Sequence, residues 1–278
     1  MIIQHNMTSA NTNRQLGITT GNLAKSSEKL SSGYRINRAG DDAAGLSISE
    51  KMRGQIRGLD QASQNAQDGI SMIQTAEGAL NEVHSIIQRM RELTVQASND
   101  TNVSVDRGAI AKEIKQLSAE ITRIGGSTEF NTQKILNSDK TYKFQVGANN
   151  GQNNISVEMK KVDAASLDLE DADVATIIEG ATATSDQITA TIKTVNDALE
   201  KVSEWRSDLG SVQNRLEHTI ANADNTSENL QASESRIRDV NMAKEMVKYS
   251  KDNILQQAAQ SMLAQANQST QGVLSLLR

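Results

Sequence analysis

Residues 188–240 read ITATIKTVNDALEKVSEWRSDLGSVQNRLEHTIANADNTSENLQASESRIRDV. Ile188, Val195, Val202, Leu209, Leu216, Ala223, Leu230 and Ile237 follow one another at intervals of seven, and Ile192, Leu199, Trp205, Val212, Thr219, Thr226 and Val240 lie between them. This is the a/d stripe of a coiled-coil seam, with a period of about 3.5. Lys193, Asp197, Glu200, Lys201, Glu204, Arg206, Arg215 and Glu217 fill the places between the apolar ones. A helix from 188 to 237 is about 75 Å long. A compact globule of 278 residues is only about 50 Å across. The spacing therefore predicts an elongated, mostly α fold, an antiparallel helical-bundle or coiled-coil rod.

Earlier in the chain lies a second seam, expected to pack antiparallel to this one. Met52, Leu59, Ala66, Ile73, Leu80 and Ile87 repeat by seven, with Ile56, Ser63, Ile70, Ala76, Val83, Met90 and Ala97 on the companion positions. Ser63 is polar, and the step from Ile70 to Ala76 is six, so this register is less regular. Ile110, Ile114, Leu117, Ile121 and Ile124 form a third helix, expected to start after Asn99-Asp100-Thr101-Asn102 and to stop at Gly125-Gly126. Thr141–Val146 and Ile155–Met159 alternate in polarity around a turn-rich link, which predicts a β-hairpin within about 133–160. Tyr142 and Phe144 share one face of it and pack on the rod. Residues 163–186, with Asp163, Asp168, Glu170, Asp171 and Asp173 and little periodicity, read as a short exposed tip, too few for a domain.

The composition agrees with long helices and excludes several function classes. There is no proline to interrupt a helix, and aromatics are only 2%. With no cysteine there is no disulfide scaffold, thiolate zinc site or cysteine nucleophile. A net charge of −5 and a pI near 5.4 argue against nucleic-acid binding. No run of about 18 apolar residues crosses a membrane, and Met1–Asn6 lacks the basic flank and apolar stretch of a secretory signal peptide. By these signs alone the chain belongs in the cytoplasm.

The two ends are unusual. No residue from Asn253 to Leu277 is charged, yet the stretch carries Gln256, Gln257, Gln260, Gln265, Gln268 and Gln271. Ile254, Ala258, Met262, Ala266, Val273 and Leu277 fall on roughly one helical face. Residues 1–13 carry no charge apart from the titratable His5, 15–24 carry none, and Leu16, Leu23 and Leu30 are at heptad spacing. Such helices suit neither lipid, where buried amides cost several kcal/mol, nor open water. They are expected to pair with each other and to fold fully only against copies of themselves, the alternative being terminal helices that simply fray. The assembly core is assigned to Leu16, Leu23, Leu30, Ile254, Leu255, Met262, Leu263, Val273, Leu274, Leu276 and Leu277.

Lys29–Leu46, with Gly33, Arg35, Ile36, Asn37, Gly40, Asp41, Asp42 and Gly45, resembles the N-terminal signature of bacterial flagellin. So do Asn253–Gln257 continuing to Leu263–Gln268, and the closing Val273–Arg278. The glycines Gly33 and Gly40 break the helix, and Asp41 or Asp42 caps the next one at Ala43. The resemblance covers about 1–160 and 185–278. It implies terminal helices, 1–40 and 242–278, lining the core of a hollow filament, a rod of 41–162 and 187–241 around them, and 163–186 in place of larger outer domains. It implies a homopolymer outside the cell, reached through the flagellar type III export channel, with export chaperone, cap and hook-junction proteins as partners, and a smooth, thin filament. Alternatives are a hook–filament junction protein or an unrelated coiled-coil interaction module.

The same resemblance marks a receptor surface. Gln88–Gln96 is similar to the stretch recognised by the flagellin-sensing Toll-like receptor. It implies contacts at Gln88, Arg89, Arg91, Glu92 and Leu93, with Glu113 on the next helix. Leu93 is equally explained as a seam residue, and Met90 and Thr94 are substitutions within the stretch. No catalytic, metal or cofactor constellation is present: there is no P-loop, H-E-x-x-H or G-x-S-x-G, and His5, His84 and His218 each stand alone. The expected protein is not an enzyme and needs no cofactor.

Overall fold

The structure, a computed structural model, describes residues 6–149, 153–170, 174–179 and 185–276, with side chains left undescribed at 179, 185–186 and 269–276. Along the chain come α1 (Met7–Ser32), α2 (Ala43–Ala97), α3 (Ser104–Ser127), β1 (Glu129–Phe130), β2 (Gln133–Lys134), β3 (Lys140–Gln145), β4 (Asn154–Met159), α4 (Ala175–Glu179), α5 (Ser185–Arg238) and α6 (Met242–Leu276). Without proline, α2 and α5 run for 55 and 54 residues. The chain divides into two compact units, one made of 1–56 and 228–278, the other of 57–227.

The 57–227 unit holds the hydrophobic core. On α5 the buried positions are Ile188, Thr191, Val195, Ala198, Val202, Leu209, Leu216 and Ala223. Two companion positions differ from expectation: Thr191 and Ala198 face the core, and Ile192 and Leu199 flank it half-buried. Thr191 is tolerated there because its hydroxyl donates to the Ile188 carbonyl at 2.6 Å. Thr226 is exposed rather than seamed.

On α2 the irregular register disappears. Ala62, Ala66, Gly69, Ile73, Ala76, Leu80, Val83, Ile87, Met90, Thr94 and Ala97 are all buried, in steps that alternate between four and three. The seam passes through Ala62, with Ser63 buried beside it, and through Gly69 rather than the half-buried Ile70, so no six-residue step exists. Gly69 belongs because the Phe144 ring of β3 fills its missing side chain: an added Cβ would sit 3.2 Å from that ring. An ion pair between Glu77 and Arg206, 3.5 Å apart, bridges α2 and α5.

On α3 the buried stripe is Ile110, Ala111, Ile114, Ser118, Ile121 and Gly125. The helix does not stop at Gly125-Gly126 but continues to Ser127. Gly125 is required for close approach instead, since a Cβ there would lie 1.8 Å from the Val162 carbonyl oxygen.

The predicted hairpin is β3–β4, antiparallel, with Tyr142 opposite Val157 and Phe144 opposite Ile155. Ile155, Val157 and Met159 bury that face, with Tyr142 and Phe144 packed against the core. A second, two-residue hairpin pairs Glu129 with Lys134 and Phe130 with Gln133. Its turn uses Asn131 and Thr132 at φ 49° and 64°, the left-handed values that a tight hairpin demands. A β-branched threonine there gives little sign of it in the sequence.

The exposed tip expected at 163–186 is corrected for its described part. Ala164, Leu167, Leu169, Val174, Ala175 and Ile178 are buried, and the Ser118 hydroxyl on α3 donates to the Leu169 carbonyl at 2.8 Å. Asp168 and Glu170 face outward, Asp168 pairing with Lys201 at 2.7 Å, which hid the apolar half of the segment. Asp171, Asp173 and residues 180–184 lie outside the described residues.

Candidate functional site

In the other unit the linker motif is tied on both sides. Gly33 ends α1 at φ 75°, its N–H donating to the Lys29 carbonyl. From there the chain pairs with the α5–α6 connection: Tyr34 and Asp239 form an antiparallel bridge, Arg35 N–H donates to Arg238 O at 2.6 Å, and Val240 N–H to Gly33 O at 3.0 Å. The Arg238 guanidinium lies 4.9 Å from the centre of the Tyr34 ring, a cation–π distance. Asp41 Oδ2 accepts from the backbone N–H of Asn37 and Arg38, at 3.1 and 3.0 Å. The bonds from Arg38 and Asn37 hold its carboxyl below the usual aspartate value. Asp42 is the N-cap of α2, accepting from Gly45 N–H at 2.8 Å. Ile36 is 1% exposed and covers Gly45, where a Cβ would meet its Cδ1 at 2.9 Å.

α1 and α6 pair antiparallel. Asn6, the N-cap of α1, donates to Ala266 O at 3.1 Å, and the Ser9 hydroxyl to Asn267 Oδ1 at 2.8 Å, while Gly33 sits by Val240 at the other end. On α1 the half-buried or buried stripe is Ser9, Thr12, Leu16, Thr19, Leu23, Ser26 and Leu30. On α6 it is Glu245, Tyr249, Asp252, Gln256, Ala259, Leu263 and Ala266, again in steps of four and three.

The α6 half of the pair is thus inverted. Its stripe is polar or small apart from Tyr249 and Leu263, facing Leu16, Leu23 and Leu30 of the α1 stripe, and most of the large apolar residues of α6 point away. Ile254 is 67%, Leu255 45%, Met262 60% and Val247 72% exposed; on α1, Ile18 is 53% exposed. The expected single face divides: Ala258 is exposed with Ile254 and Met262, but Ala266 is buried on the stripe. Of the assigned assembly residues, Leu16, Leu23, Leu30 and Leu263 are half-buried, and Ile254, Leu255 and Met262 are exposed. Val273, Leu274 and Leu276 lie in α6 without described side chains, and Leu277 is outside the described residues.

On α2, Arg89 donates to Glu113 at 3.1 and 3.0 Å and to Glu92 at 3.0 Å. Those bonds, Glu92's first, hold the guanidinium above its ordinary value. Gln88, Arg91 and Glu92 are exposed too. Leu93 is 2% exposed and belongs to the core, so it presents no surface to a partner. Arg89 and Leu93, four apart, do not share a surface.

Residues 3–141 match the bacterial flagellin N-terminal helical region, and residues 192–277 the bacterial flagellin C-terminal helical region. The chain belongs to the bacterial flagellins. A flagellin of Halalkalibacterium halodurans is 58% identical over 279 residues, and one of Bacillus subtilis 51% identical over 307, each alignment covering the whole of both chains. A putative flagellar hook-associated protein from Vibrio parahaemolyticus has a TM-score of 0.60 at 11% identity, over 72% of this chain and 100% of that one, which is a likeness of fold. Full-length identity to flagellins sets aside the junction-protein and unrelated coiled-coil readings.

This flagellin is therefore a structural subunit of the bacterial flagellar filament, a homopolymer. Sequence reading missed the inner stripe of α6. Its signal was present as heptad spacing, Tyr249, Gln256 and Leu263 at sevens beside Glu245, Asp252, Ala259 and Ala266, but these residues are mostly polar or small, and an apolar template passes over them. Among the described residues no group of three or more His, Cys, Asp or Glu is placed to hold a metal ion.

Proposed function

We propose that this flagellin polymerises through the apolar face that α6 and α1 turn away from each other, so that the terminal pair forms the wall of the filament core. The observation that carries this is the inversion: Ile254, Leu255 and Met262 are exposed in the isolated subunit, and Asp252 and Ser26 are buried. A two-helix pair gains most by burying its apolar stripe inward. One that spends it outward needs other copies to cover it.

The test is seeded growth followed by electron microscopy. Ile254→Asp and Met262→Asp place a charge on that face while leaving the α1–α6 stripe intact. Free subunits should keep their circular dichroism. The critical concentration for growth should rise a hundredfold or more, since burying an unpaired charge costs about 3 kcal/mol or more. Normal growth of both variants rejects this face as the contact.

The family resemblance supports export through the flagellar secretion channel to the outside, with export chaperone, cap and hook-junction proteins as partners. Exposure of Arg89 and Glu92 on α2 and of Glu113 on α3 supports a Toll-like receptor surface at that cluster, with Gln88 and Arg91 beside it and without Leu93.

A further inference from the structure

The chain holds no cysteine, so its 9 methionines carry all of its sulfur. Those described divide by unit. Met72, Met90 and Met159 are 5%, 0% and 1% exposed and lie in the core of the 57–227 unit. Met7, Met242, Met246 and Met262 are all at least 49% exposed and lie in the other unit, where Met52 is half-buried. Met246, Ser250, Ile254, Ala258 and Met262 follow one another at intervals of four on α6, all of them exposed. Met246 also lines a shallow hollow with Val247, Ile254 and Leu255. The two thioethers thus close the ends of a stripe about 24 Å long.

A thioether sulfur is soft and polarizable, and its oxidation follows exposure. Attack on hydrogen peroxide breaks the O–O bond. One oxygen joins the sulfur, the other leaves as water, and the two electrons that reduce the peroxide come from the sulfur. We propose that Met246 and Met262 are oxidation sites at which a peroxide stops the free subunit from polymerising. Each sulfoxide puts a polar oxygen on the outward apolar face of α6, and covering it without a donor is costly. The shielded sulfurs of Met72, Met90 and Met159 leave the core unit folded under the same treatment. The block is reversible, because sulfoxide reductases return the thioether. The effect on growth rests on the assembly reading above; the selectivity among the methionines does not.

The experiment treats the dilute full-length chain with hydrogen peroxide and follows each methionine by the gain of an oxygen mass in its peptide. Met246 and Met262 should oxidise about tenfold faster than Met72, Met90 and Met159. Equal rates overturn the proposal. The oxidised subunits are then offered to filament seeds. Their critical concentration should rise about tenfold over untreated subunits and fall back after incubation with methionine sulfoxide reductases. In a Met246→Leu, Met262→Leu double variant, measured against its own untreated subunits, peroxide should change nothing, although Met7 and Met242 still oxidise. Oxidised parent that grows like untreated parent, or a double variant as sensitive as the parent, overturns the proposal. Should the double variant itself fail to grow, a loss in the parent that the reductases do not restore overturns it equally. Normal growth of oxidised parent beside arrested Ile254→Asp subunits rejects the oxidation sites and keeps the assembly face, and normal growth of both rejects the face as well.

Discussion

At the residue scale the glycines separate by what lies opposite them. A Cβ added at Gly69 would sit 3.2 Å from the Phe144 ring and one at Gly125 would overlap the Val162 carbonyl oxygen, whereas at Gly78 in α2 and Gly210 in α5 it would meet nothing within 4 Å. An alanine at Gly78 or Gly210 removes only the entropic cost of glycine in a helix and should stabilise by about 0.5–1 kcal/mol. At Gly69 the same change presses on a ring at the end of a hairpin, and a loss of about 1 kcal/mol is expected. At Gly125 it meets backbone that cannot step aside, and the loss should reach about 3 kcal/mol. Urea unfolding of the four variants should rank Gly78 and Gly210 above the parent, then Gly69, then Gly125. A Gly125 variant as stable as the parent would remove the close approach to Val162 from this account.

At the scale of single elements, α2 shows how two residues one turn apart do different work. Leu93 is core and Arg89 is surface, tied to Glu92 and Glu113. Leu93→Ala should cost about 2–5 kcal/mol of stability by opening a cavity. Arg89→Glu should leave unfolding little changed and set a like charge beside Glu92 and Glu113. If the cluster is the receptor surface, Arg89→Glu lowers receptor activation at full folding, and Leu93→Ala does so only where the subunit unfolds. Retained activation by Arg89→Glu rejects the cluster. Helix existence was legible in the sequence because apolar residues recur at sevens in α5. Which neighbour turns inward was not, as with Thr191 against Ile192 or Gly69 against Ile70. Small and hydroxyl side chains are chosen by what the facing element presents, and that element is remote in sequence. The polar stripe of α6 escaped for the same reason, and the acidic cover of 163–170 concealed Ala164, Leu167 and Leu169.

At the scale of the whole molecule, the apolar core and the proposed assembly face lie in different parts of the chain. The contiguous core runs from Ala66 to Leu216, entirely within the 57–227 unit. Among the described residues the other unit buries Ile36, Gly45 and Ser49 around its linker, and Ser26, Asp252 and Ala266 between its terminal helices, with no comparable apolar cluster. Residues 57–227 expressed alone should therefore be soluble and helical, and should unfold cooperatively within about 5 °C of the main transition of the full chain. The same fragment should neither polymerise nor extend seeds at any concentration that supports the full chain, because the apolar face of α6 is missing from it. A fragment without a cooperative transition would mean that the core depends on the terminal unit. A folded fragment that extends seeds would move the polymer contacts into the core unit, and the inverted terminal pair would then need a different explanation.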